Sequence, residues 1–422
     1  MKEILSLLIF ISFPLREAIG IDIGIPIRIG ELAIYLYAFY TITTFYTNNT
    51  LKKGVFNKKT FVLVSLLFLN LLFCIIVSTN SNIDKDFFIK YIFRNTCILI
   101  FIFSVMINPI KIEIDWSKFF KYIIIIQVIF CFIQICGKDV YFLKIINYNP
   151  QKYFGLTRLK GTASEPGYLP VIIAPALYYF RSFKSLTNKI YYYVGVILLF
   201  FTFSSFAYLV IIFEVIFYIK SYRVKKSITI KSFICLLLCF FFSISAFYIY
   251  NSKIKYTKIN EAIEFNIGKI TSFVRKDEVD YSSQSRLQQL QIVVTKFENV
   301  DIFRKIIGMG TGSYSNYANS VGDSMMLESA NEAHNLYIST LYDRGILGEI
   351  ILISIILIIL SISKGEKIES QFLALRYSIV IQIIHWGLTG NFWVYYFWIE
   401  VAILISSICF MKYKGSKEEI LF

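Results

Sequence analysis

Two cations and a carboxylate stand close together in Arg158-Leu159-Lys160-Gly161-Thr162-Ala163-Ser164-Glu165-Pro166-Gly167, just before an apolar run. Ser164 or Glu165 can cap a helix whose first position suits Pro166, and a helix end of this polarity favours a carboxylate. Further on, Ser285-Arg286-Leu287-Gln288 has the Ser-x-x-Gln form of a capping box, and Leu287, Leu290, Val294 and Phe297 follow at three-to-four spacing. The pattern predicts a short amphipathic helix starting at Arg286. Its first turn combines unpaired backbone N–H groups with a guanidinium, an arrangement suited to phosphate, although a solvated surface helix would carry the arginine equally well. Gly308-Met309-Gly310-Thr311-Gly312 lacks the strand-turn-helix setting of a dinucleotide fold and the Lys-Ser/Thr of a P-loop, and reads as a mobile turn. Asn331 to Arg344 reads as a second helix ending at Gly345. It carries His334, one of only 2 histidines, which is either an interfacial residue or a proton acceptor near neutral pH.

Charges inside apolar stretches are candidates of a different kind. Arg94 lies one turn from Lys90 and can snorkel outward, while Glu214 and Glu400 lie deeper and are functional candidates by default. No His, Cys and carboxylate group has zinc-ligand spacing, and no acidic pair stands out for magnesium, so neither metal nor cofactor is expected. The 7 cysteines fall in apolar runs without a C-x-x-C pair and read as small buried hydrophobes.

What must position these residues is a membrane domain. Of 422 residues 56% are apolar and 17% charged, against about 25% charged in a soluble domain. Twelve apolar runs are legible, at 3–14, 29–46, 60–79, 87–108, 118–136, 167–181, 190–204, 206–219, 232–250, 346–363, 372–389 and 392–411. A net charge of +15 in a soluble chain would invite a nucleic-acid reading. Here the basic residues sit in the connections, and alternating those between two sides puts the whole excess on the side carrying both termini. That is the positive-inside bias of an inner-membrane protein with cytoplasmic termini, and it replaces nucleic acid by the lipid bilayer as partner. Met1-Lys2-Glu3 runs straight into apolar sequence with no cleavage site and reads as an uncleaved anchor. Between Lys189 and Lys220 two crossings must turn at Ser204 and Ser205, one long tilted helix being the alternative. The expected architecture is an all-α polytopic membrane protein of about 12 transmembrane helices, a single domain over 1–422. Its first extracytoplasmic loop is 137–166, and a large, partly helical one at 251–345 carries the candidate site.

The Glu-Pro-Gly turn at the start of a mid-chain span is followed in order by Ser285-Arg286-Leu287, Gly308-Met309-Gly310-Thr311-Gly312, Ala333-His334-Asn335-Leu336-Tyr337 and Arg344-Gly345-Ile346-Leu347-Gly348. With about a dozen spans, this resembles the O-antigen polymerase and O-antigen ligase superfamily, and within it the oligosaccharide repeat-unit polymerases. The resemblance implies a GT-C-like glycosyltransferase at the outer face of the cytoplasmic membrane. Its donor would be an oligosaccharide on undecaprenyl pyrophosphate, its product O-antigen or capsular polysaccharide, and a chain-length regulator protein a further partner. The resemblance also implies that the arginine matching Arg286 engages pyrophosphate and that the histidine matching His334 is essential. Many members carry a Ser-Arg pair where Ser204-Ser205 stands here, so any role of that arginine is absent or supplied by Arg94, Arg158 or Lys160.

The residue chemistry agrees with such a transfer. A pyrophosphate leaving without a metal needs cations, and the planar fork of arginine pairs two of its oxygens. The attacking hydroxyl needs a proton acceptor, for which His334 or Glu165 could serve, His334 being favoured. Two rivals share the features: an O-antigen ligase, which uses the same donor and a lipid A core acceptor, and a lipid-linked oligosaccharide flippase. A transporter is expected to show internal repeats and broken helices, which the sequence does not display.

Overall fold

The computed structural model describes the chain except residues 17, 23–25, 49–56, 80, 150–151, 154–155, 182–184, 223–292, 322–334, 363–368, 391, 393 and 419–422. The apolar run 232–250, Arg286 and His334 therefore lie outside the described residues. Every other apolar run falls on a helix. In chain order these are α1 (Lys2–Ser12), α2 (Ile29–Asn48), α3 (Lys58–Ser78), α4 (Lys85–Ile107), α5 (Trp116–Ile135), α6 (Leu169–Arg181), α7 (Leu186–Phe200) and α8 (Ser205–Tyr222). Two short helices, α9 (Ile302–Ile307) and α10 (Ser313–Val321), precede α11 (Leu336–Ile362), α12 (Ser370–His385) and α13 (Tyr395–Glu418). Among the described residues, α3, α4, α5 and α11 are long and apolar enough to cross a membrane. Eleven of the twelve expected crossings thus coincide with described helices in position, and these four also have sufficient length and hydropathy.

The helices start where the sequence supplies caps: the side chains of Asn57, Asp84 and Asp115 accept from the N–H groups of Lys59, Phe87 and Lys118. Phe68, Ile76, Phe132 and Leu357 are exposed, as side chains facing lipid tails would be. At the centre lies α6, buried continuously from Leu169 to Leu177 and packed along α12, α7, α5 and α8.

Side-chain contacts sort the connections between two ends of the bundle. Lys2 bonds Asn108, Glu3 pairs with Lys111, and Lys59 reaches the Ser361 carbonyl at one end. At the other end lie the described residues of 13–28, 79–84, 136–168, 201–204 and 386–394, with the segment around α9 and α10. The chain reverses at 201–204 between α7 and α8, so the two crossings expected between Lys189 and Lys220 are two packed helices.

The all-α expectation needs one correction. Short antiparallel pairs form in the connections: β1 (Gly20–Asp22) with β2 (Pro26–Arg28), β3 (Lys138–Tyr141) with β4 (Lys144–Asn147), and β5 (Lys152–Tyr153) with β6 (Leu156–Thr157). Lys138 faces Asn147 and Tyr141 faces Lys144, leaving a two-residue turn in which Phe142 and Leu143 take φ 50° and 63°, the left-handed geometry that matches strand twist. The Leu143 N–H bonds the Ala18 carbonyl at 2.9 Å, joining two of these connections. Cys136 also departs from expectation, since it caps α5 and is exposed.

Candidate active site

Two buried glutamines of α5 hold the Arg158–Thr162 segment. Gln134 accepts from the N–H groups of Lys160 (3.1 Å) and Gly161 (3.2 Å) and donates to Asp139 (2.9 Å). Gln127 accepts from the Thr162 N–H at 3.0 Å and donates to the Pro14 carbonyl at 2.9 Å. Lys160 Nζ lies 2.8 Å from the Asp139 carboxylate. The Tyr148 hydroxyl donates to the Arg158 carbonyl at 2.6 Å, and burial, reinforced by Asp139, lifts its phenol above the ordinary tyrosine value and keeps it a donor. Arg158 donates through Nε to the Thr202 carbonyl at 3.0 Å, while the Leu159 N–H bonds the Phe201 carbonyl at 3.0 Å. The Arg158 guanidinium therefore stands in the α7–α8 turn, two residues from Ser204.

Glu165 takes the cap position of a 3-10 turn, Pro166–Tyr168, with Pro166 first, and α6 starts only at Leu169. Its side chain makes no capping hydrogen bond and is exposed; the Tyr168 N–H bonds the Glu165 carbonyl instead, at 3.1 Å. The capping role expected of Ser164 or Glu165 is thus met by backbone, and a carboxylate points outward at the mouth of the bundle.

Against this turn lies His385, at the C-terminal end of α12 and 2% exposed. Its ring sits 4.8 Å from the Tyr168 ring and 4.5 Å from the Phe206 ring. A Cβ on Gly167 would lie 3.6 Å from Ser204 Oγ and 3.9 Å from His385 Nε2, ordinary contact distances that place the Glu165 turn beside both side chains. The same helix end receives the chain just after His334. Asn335 Nδ2 donates to the Gly387 carbonyl at 3.0 Å, the Leu336 N–H to the Trp386 carbonyl at 2.8 Å, and the Tyr337 hydroxyl to the Ile383 carbonyl at 2.8 Å. The Glu165 turn and the residue following His334 therefore dock on one short stretch, Ile383–Gly387.

The glycine-rich turn is no mobile element. Gly308, Gly310 and Gly312 all take positive φ (88°, 103° and 92°), and a Cβ on Gly308 would overlap the backbone of Asp343 and Arg344. Asp343 fills the cradle: its carboxylate accepts from the Gly312 N–H (3.1 Å), the Ser313 hydroxyl (3.1 Å) and the Tyr314 N–H (3.3 Å). A turn that could otherwise receive a phosphate is thus occupied by the chain's own anion. The far side is fastened to the α3–α4 connection, with Thr311 N–H on Ser78 Oγ (2.9 Å), Asp84 N–H on the Gly312 carbonyl (3.1 Å) and Ser315 Oγ on Asp84 (2.8 Å). Next to Asp343, Arg344 is buried and donates to Asn70 Oδ1 and Thr340 Oγ1, both at 2.6 Å. Gly345, at φ 62°, then breaks α11, as the sequence led one to expect of a helix ending there. Residues 293–299 are helical, and Val293 packs with Tyr314 and Tyr342 in a small second core. The start of that helix at Arg286 lies outside the described residues.

Arg94 is placed apart from this cluster. Its Nε lies 3.4 Å from Glu31, which Arg28 also pairs at 3.6 Å, and it donates to the Pro26 carbonyl at 3.3 Å. Rather than snorkelling alone, it belongs to an ion cluster at the base of β2. Sequence reasoning passed over His385 and the carboxylate role of Asp343. An Asp-Arg-Gly just ahead of an apolar run was the available signal for the second, and an in-run histidine for the first.

Helices long and apolar enough to cross a membrane, packed into one bundle with a polar, loop-built end, define a polytopic membrane protein. Residues 190–353, from within α7 into α11, match the family model described as O-antigen ligase. The match, over less than half of the chain, supports the resemblance to the O-antigen ligase and polymerase superfamily, whose members are glycosyltransferase-like. No curated protein matches the chain.

Proposed function

We propose that this chain polymerises oligosaccharide repeat units carried on undecaprenyl pyrophosphate, at the outer face of the inner membrane and with both termini cytoplasmic. The observation that supports it best is the docking of the Glu165 turn and of the chain after His334 on the same helix end. In this reading the Glu165 carboxylate and the His334 imidazole serve one acceptor hydroxyl. His334 takes the proton of that hydroxyl, Glu165 orients it, and the C–O bond from the reducing-end sugar to pyrophosphate breaks as the new glycosidic bond forms. Arg286 pairs the departing phosphate oxygens. Arg158, seated in the α7–α8 turn where relatives place a Ser-Arg pair, supplies a second cation from a different part of the sequence, with Lys160 beside it. Arg94, paired with Glu31, is the least suited of the four cations to the role.

Deleting the gene in its host and analysing the surface glycan separates polymerase from ligase. A polymerase deletion leaves lipid A core bearing single repeats; a ligase deletion leaves bare core and lipid-linked polymer. Arg286→Ala and His334→Ala should each reproduce the deletion in protein that still inserts, because losing a positioned acid or base costs about 10² to 10⁴ in rate. Arg286→Lys keeps charge without the fork and should be impaired. A normal ladder from well-expressed His334→Ala would remove the histidine and leave Glu165 as the base.

A further inference from the structure

The apolar surface of α5 does not stop at the end of the helix. Ile125, Val128, Ile129, Phe132 and Ile135 recur at three-to-four spacing and are all exposed, on a helix long and apolar enough to cross a membrane. Directly after this stripe the chain enters the β3–β4 hairpin, where Tyr141, Leu143, Ile145 and Ile146 are exposed as well, Leu143 at 66% and Ile145 at 74%. Val140 pairs with Ile145 and Asp139 with Ile146, so successive residues of β4 point to opposite faces, and all four are exposed. A two-stranded hairpin that carries bare isoleucines on both faces of an unpaired edge strand is marginal in water and prone to associate.

The hairpin is fastened at both ends, which keeps these side chains outward. At its base Asp139 is buried, accepts from Gln134 at 2.9 Å and pairs with Lys160 at 2.8 Å, while the Tyr148 N–H bonds the Gly137 carbonyl at 2.9 Å. At its tip the Leu143 N–H bonds the Ala18 carbonyl at 2.9 Å, and the Phe142 ring fills the space that a Cβ on Gly20 would need. Because Lys160 neutralises Asp139, the charges presented outward are those of Lys138 and Lys144, both exposed, Lys138 also donating to Asn147 at 2.8 Å. Aliphatic side chains, a tyrosine and two lysines that continue a lipid-facing stripe are what the boundary between acyl chains and headgroups selects. We propose that the β3–β4 hairpin is an interfacial anchor, with Leu143, Ile145 and Ile146 inserted at the acyl boundary and Lys138 and Lys144 meeting the phosphates of anionic phospholipid. Through Asp139 and Tyr148, which bonds the Arg158 carbonyl at 2.6 Å, the anchor holds Arg158 and Lys160 at the level of lipid phosphates. The use of that level for a lipid-linked pyrophosphate rests on the donor proposed above; the anchor does not.

The test uses the full chain in nanodiscs of phosphatidylcholine and phosphatidylglycerol, with a bimane label on Ile145→Cys or Ile146→Cys and the unsubstituted chain labelled in parallel to subtract native thiols. A nitroxide near the headgroup end of the acyl chain should quench both labels several-fold more than iodide in the water, and more strongly when carried on phosphatidylglycerol than on phosphatidylcholine. Lys138→Gln with Lys144→Gln should remove that preference, since each basic side chain at the surface enriches anionic lipid by roughly 5-fold. Both labelled positions are exposed, so cysteine is tolerated there, and either variant alone suffices to report. Labels reached by iodide and not by the acyl nitroxide overturn the proposal. Cross-linking of Ile145→Cys between two copies in vesicles of the same lipids also overturns it, by making the hairpin a protein contact. Equal quenching by the two lipids, unmoved by the lysine pair, overturns the phosphate contact. Lipid-quenched labels in a chain that makes no polymer would defeat the donor reading alone, whereas water-exposed labels in an active polymerase would defeat the anchor alone.

Discussion

Replacing Asp343 by alanine should release the glycine-rich turn from α11. Its carboxylate is the acceptor for the Gly312 and Tyr314 N–H groups and for the Ser313 hydroxyl, at 3.1 to 3.3 Å. Gly312 to Tyr314 are buried, so the two backbone donors have no ready solvent to turn to, while the hydroxyl can rotate. An unpaired buried donor costs about 1–3 kcal/mol, and removing a desolvated carboxylate returns part of that, leaving a loss of about 2–4 kcal/mol. Asp343→Asn preserves the volume and one carbonyl oxygen but turns an NH₂ towards donors, so about half that loss is expected. The assay is paired: the thermal midpoint in detergent, and limited proteolysis of the outer segment around α9 and α10. The alanine variant should melt several degrees lower and be cut there first, and if the chain is the polymerase proposed above it should also shorten the glycan in cells, because α11 begins at the docking contact of Asn335. Alanine at 343 with wild-type melting and wild-type protease resistance would refute the view that this carboxylate fastens the turn.

Gly308→Ala should be more damaging than Gly137→Ala, since both glycines have positive φ (88° and 76°) but only the first would drive a Cβ into neighbouring backbone. Expected losses are about 3 and about 1 kcal/mol, read as relative yield of folded protein. Asp84→Ala removes an N-cap and the Ser315 contact, and should lower the melting midpoint by the equivalent of about 1 kcal/mol. Burial pushes the Asp84 carboxyl up, but bonds from the Phe87 N–H and the Ser315 hydroxyl outweigh it and hold the group below the ordinary 3.8. Its stabilising contribution is thus present above that value and fades only as pH falls through the lowered one, so the wild-type to Asp84→Ala difference should stay constant from neutrality down to the ordinary aspartate range. Reporter fusions at Asn57 and Ser227 should report cytoplasm and those at Tyr148 and Asn319 the outside; a cytoplasmic Asn319 would break the site.

Periodicity and charge carried most of the fold because each apolar run is its own statement about a helix: the described helices other than α9 and α10 coincide with runs, and the break at Gly345 follows from a φ 62°, ψ −165° pair that glycine accommodates. The hairpins escaped notice because they lie in connections, where a pair such as Lys138–Tyr141 with Lys144–Asn147 shows no alternation strong enough to separate it from loop. The glycine turn was read as mobile for a related reason. Glycine in a sequence signals conformational freedom, but whether that freedom is used for motion or for a single tight geometry depends on what approaches it. Here it is the backbone of Asp343 and Arg344, some thirty residues further along the chain.

Cations show the same limit from the functional side. Reading the α7–α8 turn along the chain finds Ser204 and Ser205 where many members of the family it resembles carry a Ser-Arg pair, and suggests a missing charge. The folded turn contains one, because Arg158 reaches the Thr202 carbonyl at 3.0 Å from a segment more than forty residues away. Placing a guanidinium requires only that its Cα be held within side-chain reach, so a role of this kind can pass from one segment to another whenever two segments are fixed side by side. Gln134 and Gln127, each bridging α5 to the 158–162 stretch, provide that fixity. They make a further difference legible: Gln134→Leu would leave the N–H groups of Lys160 and Gly161 unpaired and let Arg158 drift from the turn. If Arg158 serves phosphate there, that single buried change, far from any reacting atom, should shorten the glycan as Arg158→Ala does. A full-length ladder from folded Gln134→Leu together with a defect in Arg158→Ala would show that the arginine acts without needing its seat.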